Sequence, residues 1–138
     1  MTRTDAKALI AAHYDAMIND FEPDRIRSQI SEDFVDHYSG RAMSADECIA
    51  HANAMHASFA ELRVFVHEMI AEDDRVAVRA NWSGLHTGAF RGLAPTGRRV
   101  VFSGMVFWRV RDGRITGRWA EIDFDGLIAQ LTPLSQAA

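Results

Sequence analysis

Little in these 138 residues could staple, break or anchor the chain. There is one cysteine, Cys48, and there are three prolines. No apolar run approaches the roughly 20 residues that span a bilayer. A lone cysteine excludes an intrachain disulfide, and its place in a helical pattern makes Cys48 a small apolar residue first. Without staples the fold must rest on its core. The length suits one domain, 1–138, and is too short for two ordinary ones. Excess positive charge is also missing: 15 basic residues stand against 19 acidic ones, a formal net charge of −4. That excludes the electrostatic footprint of a nucleic-acid binder and leaves the arginines of "RGLAPTGRR" as a solvated loop tip. The opening "MTRTDAKALIAAHYDAM" carries Asp5 and Lys7 where a secretion signal would be apolar. A cytoplasmic protein with no membrane partner is expected.

What is present changes period once. Leu9, Ile10, His13, Tyr14, Met17, Ile18 and Phe21 recur at helical spacing, with Thr2 or Thr4 as cap and Pro23 as stop. A helical turn at "DRIRSQI" follows, and Ser44 with Glu47 forms a capping box for a second long helix carrying Ile49, Ala52, His56 and Phe59. From residue 62 the period becomes two. "LRVFVHEMIA", "RVAVRANWSGLH", "RRVVFSGMVFWRV" and "RITGRWAEIDF" read as four long strands, and "DGLIAQL" as a closing helix. Helices followed by antiparallel strands predict an α+β domain, a curved, mainly antiparallel sheet wrapped around N-terminal helices.

Asp112-Gly113 is a strong two-residue hairpin signal. Pairing Val110 with Ile115 and counting outward sets Val106 opposite Trp119, Gly104 opposite Glu121 and Phe102 opposite Asp123. Cross-strand partners share a face, so two carboxylates are expected among aromatic walls. Val101, Met105, Phe107, Ala120, Ile122 and Phe124 fall on the other face, apolar enough to need a cover, for which a second copy of the chain is the simplest choice. The same count around Asp73-Asp74 puts Phe65, His67, Met69, Val78, Ala80 and Trp82 together, and Glu68 against Arg79 on the opposite side.

The order of elements, together with "DFVDHY", "DDRVAVR", "SGLHTGAFRGLAPTGRRVVFSGMVFWRVRDGRI", "WAEID" and "GLIAQL", resembles the SnoaL-like polyketide cyclases. These belong to the wider set of cone-shaped nuclear transport factor-like and ketosteroid isomerase-like domains. The resemblance spans nearly the whole chain. It implies a cone-shaped α+β barrel and an intramolecular aldol ring closure without metal or cofactor, driven by a carboxylate in the last long strand. Asp123, four residues after Trp119, matches that position. The chain departs from the pattern at Arg118, where histidine is common, and at Glu121, where an apolar residue is common.

The expected catalytic residues are therefore Asp123 and Glu121, with His37 and His86 hydrogen-bonding the oxygen on which charge develops. Tyr14, Trp82, Phe102, Met105 and Trp119 are the expected contacts of a small apolar carbonyl substrate. His13 and His56 are expected in the core or cavity lining and His51 at the surface. No compact ligand spacing supports a metal site. The competing readings are a noncatalytic small-molecule-binding module on the same cone, or another reaction of the fold such as isomerisation or epoxide hydrolysis.

Overall fold

The computed structural model describes residues 2–37 and 40–132. Tyr38, at the end of "DFVDHY", lies outside them. The first helix, α1 (Arg3–Tyr14), is started by a capping box in which Thr2 and Asp5 bond each other's backbone N–H. It runs into one π-helical turn, Asp15–Asn19, closed by the Asp20 N–H on the Asp15 carbonyl. Pro23 does not end this helix. It opens α2 (Pro23–Gln29) at the first helical position, where a missing N–H costs nothing.

After β1 (Ile30–Asp36) and the short β2 (Arg41–Ala42), the Ser44/Glu47 capping box opens α3 (Ala45–Ser58) as expected. Four strands follow: β3 (Phe59–Glu72), β4 (Arg75–His86), β5 (Arg99–Arg111) and β6 (Arg114–Ile122). The last element is α4 (Phe124–Leu131). One sheet holds all six strands in the order β2-β1-β6-β5-β4-β3, antiparallel except where β1 runs parallel to β6. Helices then sheet, the α+β architecture read from the sequence, is what the chain adopts.

The two faces of the sheet differ. Along β5 the buried residues are Val100, Phe102, Gly104, Val106, Trp108 and Val110, facing the helices. Ile10, Ile26, Leu62, Val76, Ile115 and Leu127 are among the side chains sealed completely in the core. Each removes roughly 1.5–3 kcal/mol worth of apolar surface from water. The alternate positions point outward, where Phe65, Ile70, Val101, Met105 and Phe107 are all more than half exposed. Where β6 stops, α4 supplies the missing partner: the Gln130 side chain accepts from the Val101 N–H and donates to its carbonyl.

Register is where the sequence reading fails. Val110 does pair with Ile115, and Asp112 and Gly113 both take positive φ in the turn. The next pair is Arg109 with Gly117, so Thr116 is an extra residue on β6. This β-bulge is held by the Arg109 side chain, whose Nε–H donates to the Thr116 hydroxyl at 2.9 Å and whose Nη2–H donates to the Thr116 carbonyl at 3.2 Å. A Cβ at 117 would touch that guanidinium at 3.3 Å. Inserting one residue turns every later side chain over. Val106 consequently faces Ala120 and Gly104 faces Ile122, so Arg118, Ala120 and Ile122 point inward while Trp119 and Glu121 point outward.

A second bulge, between Val66 and Glu68, leaves the Glu68–Arg79 pair in place, ion-paired at 3.5 Å, but aligns Val66 with Ala80 and Val64 with Trp82. Phe65 is thereby turned outward and His67 loses a partner in the ladder, correcting their expected place beside Val78.

Candidate functional site

Between the helices and the inner face lies a cavity of about 650 Å³. One wall is formed by Tyr14, at the end of α1, with Met17 and Ile18 of the π-helical turn. The α3 wall is kept low by Ala50, Ala52 and Ala54, with Met55 and Ser58 beyond them. The sheet contributes Trp82, Phe102, Val106, Trp108, Ala120 and Ile122, and Phe90 and Phe124 line the cavity beside them. Trp82 and Phe102 stack at 5.8 Å with 14° between their planes. Gly104 permits this, since a Cβ there would stand 3.0 Å from the Trp82 ring, the Ile122 side chain and the Glu121 carbonyl.

Against this apolar lining, two charges are set opposite each other on neighbouring strands. Asp36 of β1 is in register with Arg118 of β6, and an Arg118 Nη2–H donates to its Oδ2 at 3.0 Å. Asp36 is almost fully buried, its side chain 5% exposed, and Arg118 is 23% exposed. Both line the cavity. The Arg118 Nε–H is buried and has no acceptor among the described residues, so a charged donor is held in the wall. Removing either charge would leave the other less well compensated in low dielectric, whereas an amide at position 36 would still offer Arg118 an acceptor.

Tyr14 adds a third polar group. Its hydroxyl accepts from the Trp108 Nε1–H at 3.1 Å, and burial raises its pKa to about 12, so it keeps its own proton as a donor. Behind the pair, a chamber of about 30 Å³ is bounded by His13, Cys48, Asp36 and Arg118. His13 bonds Gln29 Oε1 through Nδ1 at 2.8 Å, and burial lowers its pKa to about 4, which leaves it neutral. Burial likewise pushes the Cys48 thiol up to about 11, an unreactive state.

The expected site residues divide sharply. Tyr14, Trp82 and Phe102 line the cavity. Trp119 does not: the bulge turns it outward, where His37 stacks on it at 4.1 Å with 2° between the rings and Arg75 lies 4.9 Å over it. Met105 is 61% exposed on the outer face. Glu121 is exposed beside it, paired in register with Met105. Asp123 is also exposed and is the N-cap of α4, its Oδ1 accepting the Gly126 N–H at 2.9 Å. Ile122 and Phe124, assigned to the far face, line the cavity instead.

His86 is fully buried, but its Nδ1 accepts the Thr96 N–H at 3.2 Å and so pins the loop before β5 rather than entering the cavity. His37 is exposed on the outer side. His56 bonds the Met17 carbonyl at 2.9 Å, in keeping with a core role, and His51, though exposed, reaches the cavity wall. The structure thus separates His37, His86 and Asp123, and among the described residues no cluster of three or more His, Cys, Asp or Glu could hold a metal. Among the described residues no helix is long and apolar enough to cross a membrane.

Asp36 and Arg118 are the site residues that sequence reasoning passed over. Alternation within "DFVDHY" puts Asp36 on the same face as Phe34, and a carboxylate sharing a face with a core phenylalanine is the signal that marks it. Arg118 stands out only as a departure from a pattern.

Among curated proteins nothing matches this chain. Solved structures resemble it over nearly their whole length. AclR of Streptomyces galilaeus, a proposed hydroxylase, is 27% identical, with a TM-score of 0.84 over 96% of this chain and 100% of its own. IdmH of Streptomyces antibioticus, a proposed polyketide cyclase, is 28% identical, with a TM-score of 0.81 over 91% and 97%. A SnoaL-like protein of Jannaschia shares the fold at 22% identity, with a TM-score of 0.83 over 95% of both chains. The model of the SnoaL-like polyketide cyclases matches residues 8–131, from α1 through the end of α4 and so every wall of the cavity just described: the chain belongs to that family.

Proposed function

We propose that the cavity binds a small apolar carbonyl compound and that Asp36, held by Arg118, moves a proton at the carbon beside the carbonyl. The observation that carries this reading is a buried carboxylate–guanidinium pair in the wall of a mainly aromatic and aliphatic cavity. Such a pair is a poor stability device, because desolvation offsets much of its attraction. It is a good way to hold a base and a cation in fixed places.

An ionised carboxylate offers about four acceptor directions, enough to hold Arg118 and also face a substrate proton. In an aldol-type closure Asp36 takes the proton from carbon. The carbanion attacks a second carbonyl of the folded substrate, and the alkoxide regains the proton from the Asp36 carboxylic acid. Atoms and charge balance without a cofactor. Arg118 Nε–H and the Tyr14 hydroxyl are the donors for the oxygen on which negative charge develops. Among the similar structures, IdmH, a proposed polyketide cyclase, supports this reading.

Proton abstraction is testable without the natural substrate. Deuterium uptake by tetralone in D2O, followed by NMR, should be accelerated by the protein, and Asp36→Asn should lose at least about a hundredfold of that acceleration while still folding. Tetralone that binds without faster exchange would favour the noncatalytic binding module, and an Asp36→Asn variant of full activity would remove Asp36 from the mechanism.

A further inference from the structure

The loop between β4 and β5 contains a two-residue turn. Phe90 and Leu93 exchange N–H···O bonds of 3.0 and 2.9 Å, and the residues between them, Arg91 and Gly92, have φ of +48° and +80°. Two positive φ values mark a type I′ turn, whose first central position favours Asn, Asp or Gly. Arginine is an unfavourable choice for that backbone. When a local choice conflicts with its backbone, the side chain is the place to look for a reason.

That side chain lies over two rings of the cavity wall, its guanidinium carbon 4.3 Å from the centre of Phe124 and 5.3 Å from that of Phe90. Arg91 lines the cavity and is itself exposed, so it stands where the cavity meets solvent. Arg75, Arg79, Arg99 and Arg118 each have a carboxylate partner. Among the described residues Arg91 has neither an ion pair nor a hydrogen bond, only the two rings. Stacking occupies the faces of a guanidinium and leaves its N–H groups, which lie in the plane, able to donate.

Among the described residues, the Asp, Glu, Lys and Arg side chains that line the cavity are Asp36, Arg118 and Arg91. The first two neutralise each other, so Arg91 leaves the cavity with one unmatched positive charge. Apolar walls lower the local dielectric and strengthen its pull on an anion. We propose that the ligand of this cavity carries a carboxylate, received by Arg91 at the entrance, while its apolar carbonyl-bearing body extends toward Asp36 and Arg118. This rests on the cavity being the ligand site, and it adds the substrate class: an acidic, amphipathic carbonyl compound rather than a neutral one.

Pyrene carboxylate and pyrene carboxamide share a shape and differ by one charge, and their fluorescence reports binding directly. The unaltered protein should prefer the carboxylate. Arg91→Asn suits the turn, so it should fold with a melting temperature at or above that of the parent and lose about tenfold of the preference. Arg91→Lys, which keeps the charge, should retain most of it. An unchanged preference in Arg91→Asn, or an equal loss for both probes, would overturn the assignment while leaving the cavity as the ligand site. Failure of both probes to bind the parent, or binding that survives filling of the cavity by Ala120→Trp, would overturn the cavity reading and this inference together.

Discussion

The two faces of one sheet are built from the same strands, yet they are opposite in what they do with polarity. On the inner face, apolar side chains enclose a few polar groups that are fixed by partners: Asp36 by Arg118, Tyr14 by Trp108, His13 by Gln29. On the outer face the arrangement is reversed. Apolar Phe65, Ile70, Val101, Met105 and Phe107 stand exposed among solvated charges of both signs, Glu68, Arg79 and Glu121. A buried polar group requires a partner, whereas an exposed apolar group requires a cover. The inner face therefore reads as a site and the outer face as an interface.

What separates the faces on β6 is one residue, Thr116, and the strongest way to break the comparison is to delete it. Without the bulge, a continuous register would send Trp119 and Glu121 inward and expel Arg118, Ala120 and Ile122. Asp36 would lose its guanidinium and Glu121 would be buried without one. The deletion should cost more than about 4 kcal/mol, enough to unfold the domain or leave it molten. Urea unfolding or the loss of dispersed NMR signals would show it. A deletion variant of near-parental stability would mean that the hairpin turn, not the bulge, sets the faces.

The bulge also explains how far the sequence could be read. Helices, long strands, the Ser44/Glu47 capping box and the hairpin turn were legible because each is encoded by adjacent residues. The count from Asp112-Gly113 was right for Val110 and Ile115 and wrong for everything beyond Thr116. A bulge needs no unusual residue on its own strand; this one is stabilised by Arg109 across the ladder, a contact seven positions away in sequence. An error of one residue exchanged the β6 part of the candidate site. Tyr14, Trp82 and Phe102 survived it because their placement does not depend on β6.

A second effect, about 3 kcal/mol, belongs to the inner face alone. His13 has its pKa lowered from 6.5 to about 4 by burial, so between those values the unfolded chain binds a proton that the folded chain excludes. Its contribution to stability is therefore intact above pH 6.5 and is lost as pH falls toward 4. Unfolding free energies measured across that window should decline, and the decline should flatten in His13→Leu, whatever that variant's stability at neutral pH. An unaltered slope in the variant would assign the acid sensitivity to other groups.

For the outer face we propose that a second copy of the chain is the cover. The patch is self-complementary in charge, carrying Glu68, Arg79 and Glu121 around its apolar side chains, as a two-fold contact requires. Light scattering should give twice the 15.4 kDa of one chain, and Met105→Lys should return the protein to a monomer. Because Met105 is already exposed, the substitution should change the fold's own stability by no more than about 0.5 kcal/mol. A monomeric parent at micromolar concentration would defeat the proposal.

The smallest effect is expected at Asp123, the residue that the sequence reading ranked first. Asp123 caps α4 by accepting the Gly126 N–H, and Gly126 is needed because any Cβ there would collide with the Asp123 carboxylate. Asparagine caps a helix about as well as aspartate, so Asp123→Asn should lose only a few tenths of a kcal/mol, mostly the carboxylate's attraction to the helix N-terminus. Asp123→Ala removes the acceptor and should cost about 1 kcal/mol. Deuterium exchange into tetralone should be the same in Asp123→Asn as in the parent and collapse in Asp36→Asn. That contrast decides between the faces directly. If exchange is lost at Asp123 and kept at Asp36, the acid–base group sits on the outward-turned end of β6, and the inner pair is a structural tie between β1 and β6.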